Sequence, residues 1–248
     1  MRYALFMETY HKSAAILVIG NEILSGRTRE ANAYLAAQKL FDRGCKLGEI
    51  AVVPDIQDAI VSALKRLRKE FDAVITSGGI GPTHDDITMD AIAKSFHVSV
   101  LEHAETLELM AKHYGGKKIN EGRRRMARLP NGAEPILCEQ SICPGAHIKN
   151  VYVLAGVPYI FESQLESILP DFGDANHPFI RHEIDVELPE STFSKELEII
   201  QNRFQRVEIG SYPRMCGHKP CGKICLSSQD SDALKLAVRD VTLMLENL

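Results

Sequence analysis

Two apolar runs constrain this chain more than any other feature: residues 14–19, which close on Gly20, and residues 72–76, which after Asp72 run apolar to Thr76 and close on Gly78-Gly79. A strand open to water on one face alternates apolar and polar residues, so an unbroken apolar run implies a strand covered on both faces, as in parallel sheets. Residues 50–53 repeat the pattern and close on Pro54-Asp55. Between these runs the period changes. Ile56, Ile60, Leu64, Leu67 and Phe71 recur at helical spacing, which lays one apolar stripe of a helix against a sheet. Residues 32–43 read as a further helix. Strands alternating with amphipathic helices need crossover connections, so the expected fold class is α/β, a three-layer αβα sandwich around a mostly parallel sheet.

Further helices are expected over residues 87–96, 102–114 and 119–128. Pro130-Asn131-Gly132 and Cys143-Pro144-Gly145 read as turns and residues 151–154 as a strand, so a β-rich edge closes this domain. Phe161, Leu165, Ile168 and Leu169 mark one face of a helix that Pro170 ends, and Gly173, Asn176 and Pro178 make residues 171–178 a linker. One domain is therefore placed at residues 14–170. A small α+β unit follows over residues 181–248. Its strands are read at 184–188, 207–212 and 223–227, with helices marked by Phe193, Leu197, Ile200 and Phe204 and by Leu234, Val238, Val241 and Leu245, giving the order βαββα. Such a unit buries too little surface to stand comfortably alone, and its apolar stripes imply packing on the main domain or on a second subunit, hence a homo-oligomer.

The chemistry concentrates directly after the second apolar run, in Gly78-Gly79-Ile80-Gly81-Pro82-Thr83-His84-Asp85-Asp86-Ile87-Thr88. Glycines without Cβ atoms let backbone N–H groups crowd against an anion, and adjacent carboxylates suit a hard divalent ion that shares it. In open α/β sheets ligands bind outside the carboxyl ends of the strands, where Gly20, Glu22, Asp55 and the stretch from Gly78 to Asp86 all fall. The N–H groups of Gly78, Gly79 and Gly81 are expected to hold phosphate oxygens, with Gly20, Glu22, Thr83 and Thr88 as further ligand contacts. Asp86, Asp55 and Asp85 are expected to hold Mg²⁺, Mn²⁺ or Co²⁺, which would lower the pKa of a bound water for attack on phosphorus, with Asp86 and Asp55 catalytic.

That run, with the stretch from Gly20 to Gly26 before it and Asn150-Val151-Tyr152-Val153-Leu154-Ala155-Gly156-Val157-Pro158 after it, resembles the molybdopterin-binding MoaB/Mog family. Within the family it is most similar to the amino-terminal domain of competence-damage-inducible protein A and the matching domain of eukaryotic FAD synthases. The resemblance covers residues 14–170 strongly and the tail more loosely, through Val207-Glu208-Ile209-Gly210-Ser211-Tyr212-Pro213. It implies a ligand that is a nucleotide or pterin phosphate. Three functions follow from it: a metal-dependent pyrophosphatase of a nucleotide diphosphate of the ADP-ribose or FAD type, a molybdopterin-binding or adenylylating protein, and a non-catalytic ligand-binding module. Relatives carry aspartate where this chain has Asn21 and Glu30, and an acid after the position of Pro158. These departures imply weaker metal affinity. Neither the deamidase domain nor the adenylyltransferase domain of those relatives follows, so neither activity is expected.

Simpler roles stand beside the functional ones. Asp55 directly precedes the helix that begins near Ile56, and Asp86 and Thr88 sit at the start of the next, so each also suits helix capping. His84 reads as an exposed loop residue, with acid–base chemistry as the alternative. Glu22 is placed to pair with Arg27 or Arg29, and Asn32 to bond the turn backbone. The cluster Arg123-Arg124-Arg125 suits either a solvated helix face or a substrate phosphate.

Composition excludes other classes. A formal charge of −4 over 248 residues is unlike the concentrated Lys and Arg excess of nucleic-acid binders. No apolar run reaches the roughly 18 residues that cross a bilayer, and Glu8, Thr9, His11 and Lys12 interrupt the start of the chain. A cytoplasmic location is expected, in which the six cysteines stay thiols. Cys216, Cys221 and Cys225 offer zinc ligands but no CxxC pair, against a glycine-rich loop leading into a strand.

Overall fold

A computed structural model describes residues 10–115 and 119–248; residues 1–9, which carry part of the membrane reading, lie outside them. The chain divides into two compact units, Met1–Asp174 and Ala175–Leu248. The first unit runs β1 (Ser13–Ile19), α1 (Asn21–Leu24), α2 (Asn32–Asp42), β2 (Lys46–Val53), α3 (Gln57–Glu70), β3 (Ala73–Ser77), α4 (Thr88–Phe96), β4 (Val100–Glu102), α5 (Ala104–His113), α6 (Glu121–Arg125), β5 (Arg128–Pro130), β6 (Glu134–Cys138), β7 (Ser141–Ile148), β8 (Val151–Leu154) and α7 (Pro158–Ile168). Six strands form one sheet in the order β2-β1-β3-β8-β7-β6. β2, β1, β3 and β8 are mutually parallel, and β7 and β6 add antiparallel pairs at one edge.

The period of two along β1 builds the layers. Ala14, Ile16 and Val18 point to one side, where they meet Ala33, Ala36 and Leu40 of α2 and Phe161, Leu165 and Ile168 of α7. Ala15, Leu17 and Ile19 point to the other, against Ile60, Leu64 and Leu67 of α3 and Met89 and Ile92 of α4. Both faces of β1 and β3 are therefore covered, which is why their sequences carry no polar alternation. Val18 pairs with Ser77 and Ser77 with Leu154, while Ile19 pairs with Val53. This register levels the carboxyl ends of the four parallel strands on one rim.

Several local expectations are corrected. β2 is an edge strand with alternating burial, and Ile50 and Val52 are exposed, so it is not covered on both faces. Ile56 is exposed and sits at the N-cap of α3, outside the buried stripe. Cys143-Pro144-Gly145 lies inside β7 and is not a turn. The helix expected to reach residue 128 stops at Arg125, because Arg128–Pro130 pairs antiparallel with Val100–Glu102. Asp171 and Phe172 are not free linker. The Phe172 ring is fully buried against Tyr152 and His11, with centroids 5.0 and 5.4 Å away, and His11 N donates to Asp171 O.

The second unit runs β9 (Ile180–Val186), α8 (Ser194–Arg203), β10 (Glu208–Cys216), β11 (Lys219–Ser228) and α9 (Ser231–Glu246), an antiparallel sheet in the order β10-β11-β9. One face packs on the two helices through Ile224, Leu226, Ile200, Leu234, Ala237 and Val241. Here the expectation of six thiols fails, and the zinc reading with it. Cys216 and Cys221 form a disulfide across the β10–β11 turn, with Cα atoms 5.8 Å apart. The hairpin pairs Cys216 with Lys219 and Arg214 with Cys221, which brings the two side chains onto neighbouring diagonal positions; the expectation rested on compartment and left hairpin register out.

Because Phe172 completes the core of the first unit, Phe172→Ala should cost about 3–5 kcal/mol of stability. Urea unfolding measures this, and an unchanged midpoint would place the ring outside the core.

Candidate functional site

The rim of the parallel strands collects every residue expected to act on phosphate, and each loop is held there for a visible steric or hydrogen-bonding reason. After β3 the chain turns through Gly78 at φ 104° and Gly79 at φ 69°. A Cβ on Gly78 would stand 2.3 Å from the Ile19 carbonyl oxygen, and one on Gly79 would stand 2.2 Å from Thr88 Oγ1. Both contacts lie inside van der Waals limits, and both φ values disfavour side chains, so glycine is required twice over. After β8, a Cβ on Gly156 would fall 3.1 Å from Gly78 Cα. The ends of β1, β3 and β8 are thus pressed together with almost no side chain between their backbones.

Two buried polar side chains fasten this junction. Asn32, at the start of α2, donates from Nδ2 to Ser77 Oγ and to the Gly156 carbonyl, each at 2.9 Å. Thr88 Oγ1 donates to the Gly78 carbonyl at 2.9 Å, and Thr88 N to the Gly79 carbonyl at 3.0 Å. Gln164 Oε1 accepts from Ala155 N at 2.8 Å and fixes the loop after β8. Thr88 was expected among the ligand contacts, but it is fully buried and its hydroxyl is spent on the loop. Nor do Asp55 and Asp86 cap the helices they precede. Ile56 and Ile87 occupy those N-cap positions, and neither helix has a side-chain cap bond.

The backbone donors divide in an informative way. Gly78 N donates to the Leu154 carbonyl and Gly20 N to the Val53 carbonyl, each at 3.2 Å. The N–H groups of Gly79, Ile80 and Gly81 have no acceptor among the described residues, and all three residues are half-buried. Gly78 and Gly20 therefore shape the rim, while Gly79, Ile80 and Gly81 present three consecutive N–H groups that no acceptor among the described residues takes up. Ile80 was not singled out in the sequence because its side chain has no polar atom.

Carboxylates stand along the same rim. A Cβ on Gly81 would stand 2.7 Å from Asp86 Oδ2, so the Asp86 carboxylate lies beside Gly81. The same oxygen accepts from Thr83 N at 2.8 Å and from Thr83 Oγ1. Thr83 also bonds Asp85, and that hydrogen bond holds the exposed Asp85 carboxyl below its usual pKa. Asp55 Oδ2 accepts from Asn21 N at 2.8 Å, capping α1. The Glu22 carboxylate folds back over Gly20, within 2.5 Å of where a Cβ would stand. Glu30 Oε1 accepts from Ala33 N at 2.8 Å and caps α2.

A divalent ion implied by this chemistry finds oxygen donors but no closed cage. Among the described residues no three His, Cys, Asp or Glu side chains stand close enough to share one ion. Asp55 follows β2 and Asp86 follows β3, with β1 between them. Strand spacing of roughly 4.8 Å sets those ends about 10 Å apart. The expected trio of Asp55, Asp85 and Asp86 around a single ion is not assembled by the protein alone. Asp86 beside free N–H groups fits an ion that keeps its waters and takes one or two carboxylates plus substrate phosphates.

Comparison with known proteins matches this architecture. Residues 15–182 fit a family model described as "Probable molybdopterin binding domain", and residues 178–248 fit the middle domain of FAD synthase. A protein of Archaeoglobus fulgidus is 32% identical over 226 residues, covering 90% of this chain and 94% of its own length. One of Pyrococcus furiosus is 34% identical over 241 residues, covering 91% and 94%. Among solved structures, the CinA protein of Thermoplasma acidophilum, of unknown function, superposes with a TM-score of 0.61 at 33% identity, covering 64% of this chain and 97% of that one. The resemblance carried by the stretch from Gly78 to Thr88 is thereby borne out.

Thr88→Val keeps the buried shape but leaves the Gly78 carbonyl without its donor, and should cost about 1–3 kcal/mol. Denaturant titration reads this directly. A variant as stable as the parent would show that the hydroxyl does not hold the loop.

Proposed function

The chain belongs to the molybdopterin-binding domain family, and from that membership we propose that it is a metal-dependent pyrophosphatase acting on a nucleotide diphosphate of the ADP-ribose or FAD type. The observation that carries this reading is the row of free N–H groups at Gly79, Ile80 and Gly81 beside the Asp86 carboxylate. A phosphate seated on those donors would lie next to a like charge, a repulsion of about 1–4 kcal/mol at 4 Å for water-like to surface-like screening. Asp86 would hold a divalent cation, whose charge would offset that repulsion. When bound, the ion would neutralise the diphosphate and make an attacking water more acidic.

The chain's own groups have defined parts in this scheme. The donors at 79–81 orient one phosphate and stabilise the charge that builds on its oxygens. Asp86, tied by Thr83, presents a carboxylate already fixed in place. Water adds to one phosphorus, the P–O–P bridge breaks, and two monophosphates leave. The match of the second unit to the middle domain of FAD synthase favours FAD-type ligands, which contain such a bridge. The family description itself favours a second reading, a pterin phosphate held by the same donors without hydrolysis.

Incubation with ADP-ribose or FAD and Mg²⁺, Mn²⁺ or Co²⁺ should release AMP, and EDTA should stop it. Asp86→Asn retains an oxygen to accept from Thr83 but loses the charge, so turnover should fall by at least roughly a hundredfold with the fold unchanged. Full activity in that variant would refute the role of Asp86. Binding of molybdopterin without release of AMP from either dinucleotide would favour the pterin reading.

A further inference from the structure

Beside the donor loop lies a cavity of about 450 Å³ lined by Pro82, His84, Glu102, Arg124, Arg125 and Arg128, among others. It is formed where α6 seats on the loop. Asn120 Oδ1 caps α6 by accepting from Arg123 N at 2.9 Å, and a Cβ on Gly122 would come 3.3 Å from Pro82 Cβ, so the helix rests almost directly on the loop backbone. Arg125 then reaches back, donating from a terminal nitrogen to the Asp86 carbonyl at 3.0 Å.

The three arginines lining this cavity are not equivalent. Arg124 pairs with Glu102 and Arg128 with Asp90, each at 2.7 Å. Arg125 has no carboxylate within ion-pair distance among the described residues. One of its donors goes to a neutral carbonyl, and its Nε, like that of Arg128, is buried without an acceptor. A half-buried guanidinium has five donors and a charge that calls for oxygen ligands. Among the described residues it has one carbonyl as hydrogen-bond acceptor, immediately behind the loop that carries the free N–H groups at 79–81, and the Asp85 carboxyl attracts its charge from farther off.

We propose that this cavity is a second anion subsite, in which Arg125 takes the distal phosphate of a ligand whose first phosphate sits on Gly79, Ile80 and Gly81. It deepens the pyrophosphatase reading and rests on it: the subsite would select a diphosphate over a monophosphate. His84 lines the same cavity and is exposed. Arg124 and Arg128, already neutralised, hold the wall in place. Thus Arg125 is a binding residue for the second phosphate, and its contact with the Asp86 carbonyl keeps the two subsites in register.

Calorimetry with inorganic pyrophosphate and with inorganic phosphate, both with Mg²⁺, on the full chain tests this using Arg125→Gln and Arg125→Lys. Circular dichroism and urea unfolding confirm that each variant is folded. Removing a charge-assisted contact should weaken pyrophosphate binding of Arg125→Gln by roughly tenfold or more while leaving phosphate binding within about twofold, and Arg125→Lys should recover part of the loss. Equal weakening for both probes would mean that Arg125 only braces the loop, and no weakening for either would mean that the cavity is not a subsite. Each of those results overturns the second subsite and leaves the first phosphate site standing. A parent protein that binds neither probe overturns the phosphate reading itself.

Discussion

Everything at the rim depends on the absence of a side chain at Gly78. The Ile19 carbonyl and the Gly78 Cα approach so closely that a Cβ would stand 2.3 Å from that oxygen, and this contact presses the loop after β3 onto the end of β1. Gly156 closes from the other side. Polar groups buried by such a junction would be costly if left unpaired, which explains why Asn32 and Thr88, polar residues on otherwise apolar helix faces, are turned inward. Their hydrogen bonds are structural in effect. What they leave over is three consecutive N–H groups with no acceptor among the described residues, and the proposed function rests on these.

The charge pattern follows from the same geometry. Donors and carboxylates have been brought to one place by the loop itself, since Asp86 must stay near Thr83 to close the turn and thereby lies against Gly81. A phosphate seated beside the Asp86 carboxylate would meet a like charge, so the proposed function calls for cations there. Two sources are at hand: a divalent ion from solution and the guanidinium of Arg125. They are not interchangeable. A divalent ion would be held by the Asp86 carboxylate, whereas Arg125 bonds the Asp86 backbone carbonyl and not its carboxylate.

The sheet was legible in the sequence because burial on both faces writes itself as an unbroken apolar run; residues 14–19 and the apolar part of residues 72–76 could hardly read otherwise. The edge strand β2 was misread because Ile50 and Val52 are apolar yet exposed, and an exposed apolar residue carries no signal of its own. The glycine loop was legible as a tight turn at the strand ends, but which of its N–H groups stay free was not. Which of Gly78, Gly79 and Gly81 spends its N–H on a neighbouring strand depends on where β8 lies, and β8 comes more than seventy residues later in the chain. Gln164 left a faint trace, a polar residue on the helix face shared by Phe161, Leu165 and Ile168, with the loop after β8 as its partner. The disulfide left none, because the register of a hairpin cannot be read from the spacing of two cysteines.

The aspartates were legible as a group and misplaced as individuals, for a reason that bears on how such a site works. Adjacency in sequence suggested that Asp85 and Asp86 act together and that Asp55 joins them, yet β1 lies between the strands that carry Asp55 and Asp86. Asp55 accepts the Asn21 N–H and fastens the loop after β1; Asp86 accepts from Thr83 and fastens the loop after β3. Each carboxylate thus organises its own loop with one oxygen, and the other oxygen has no hydrogen-bond donor among the described residues. A ligand that spans the rim, and not an ion alone, is what would bring the two loops to bear on a single centre.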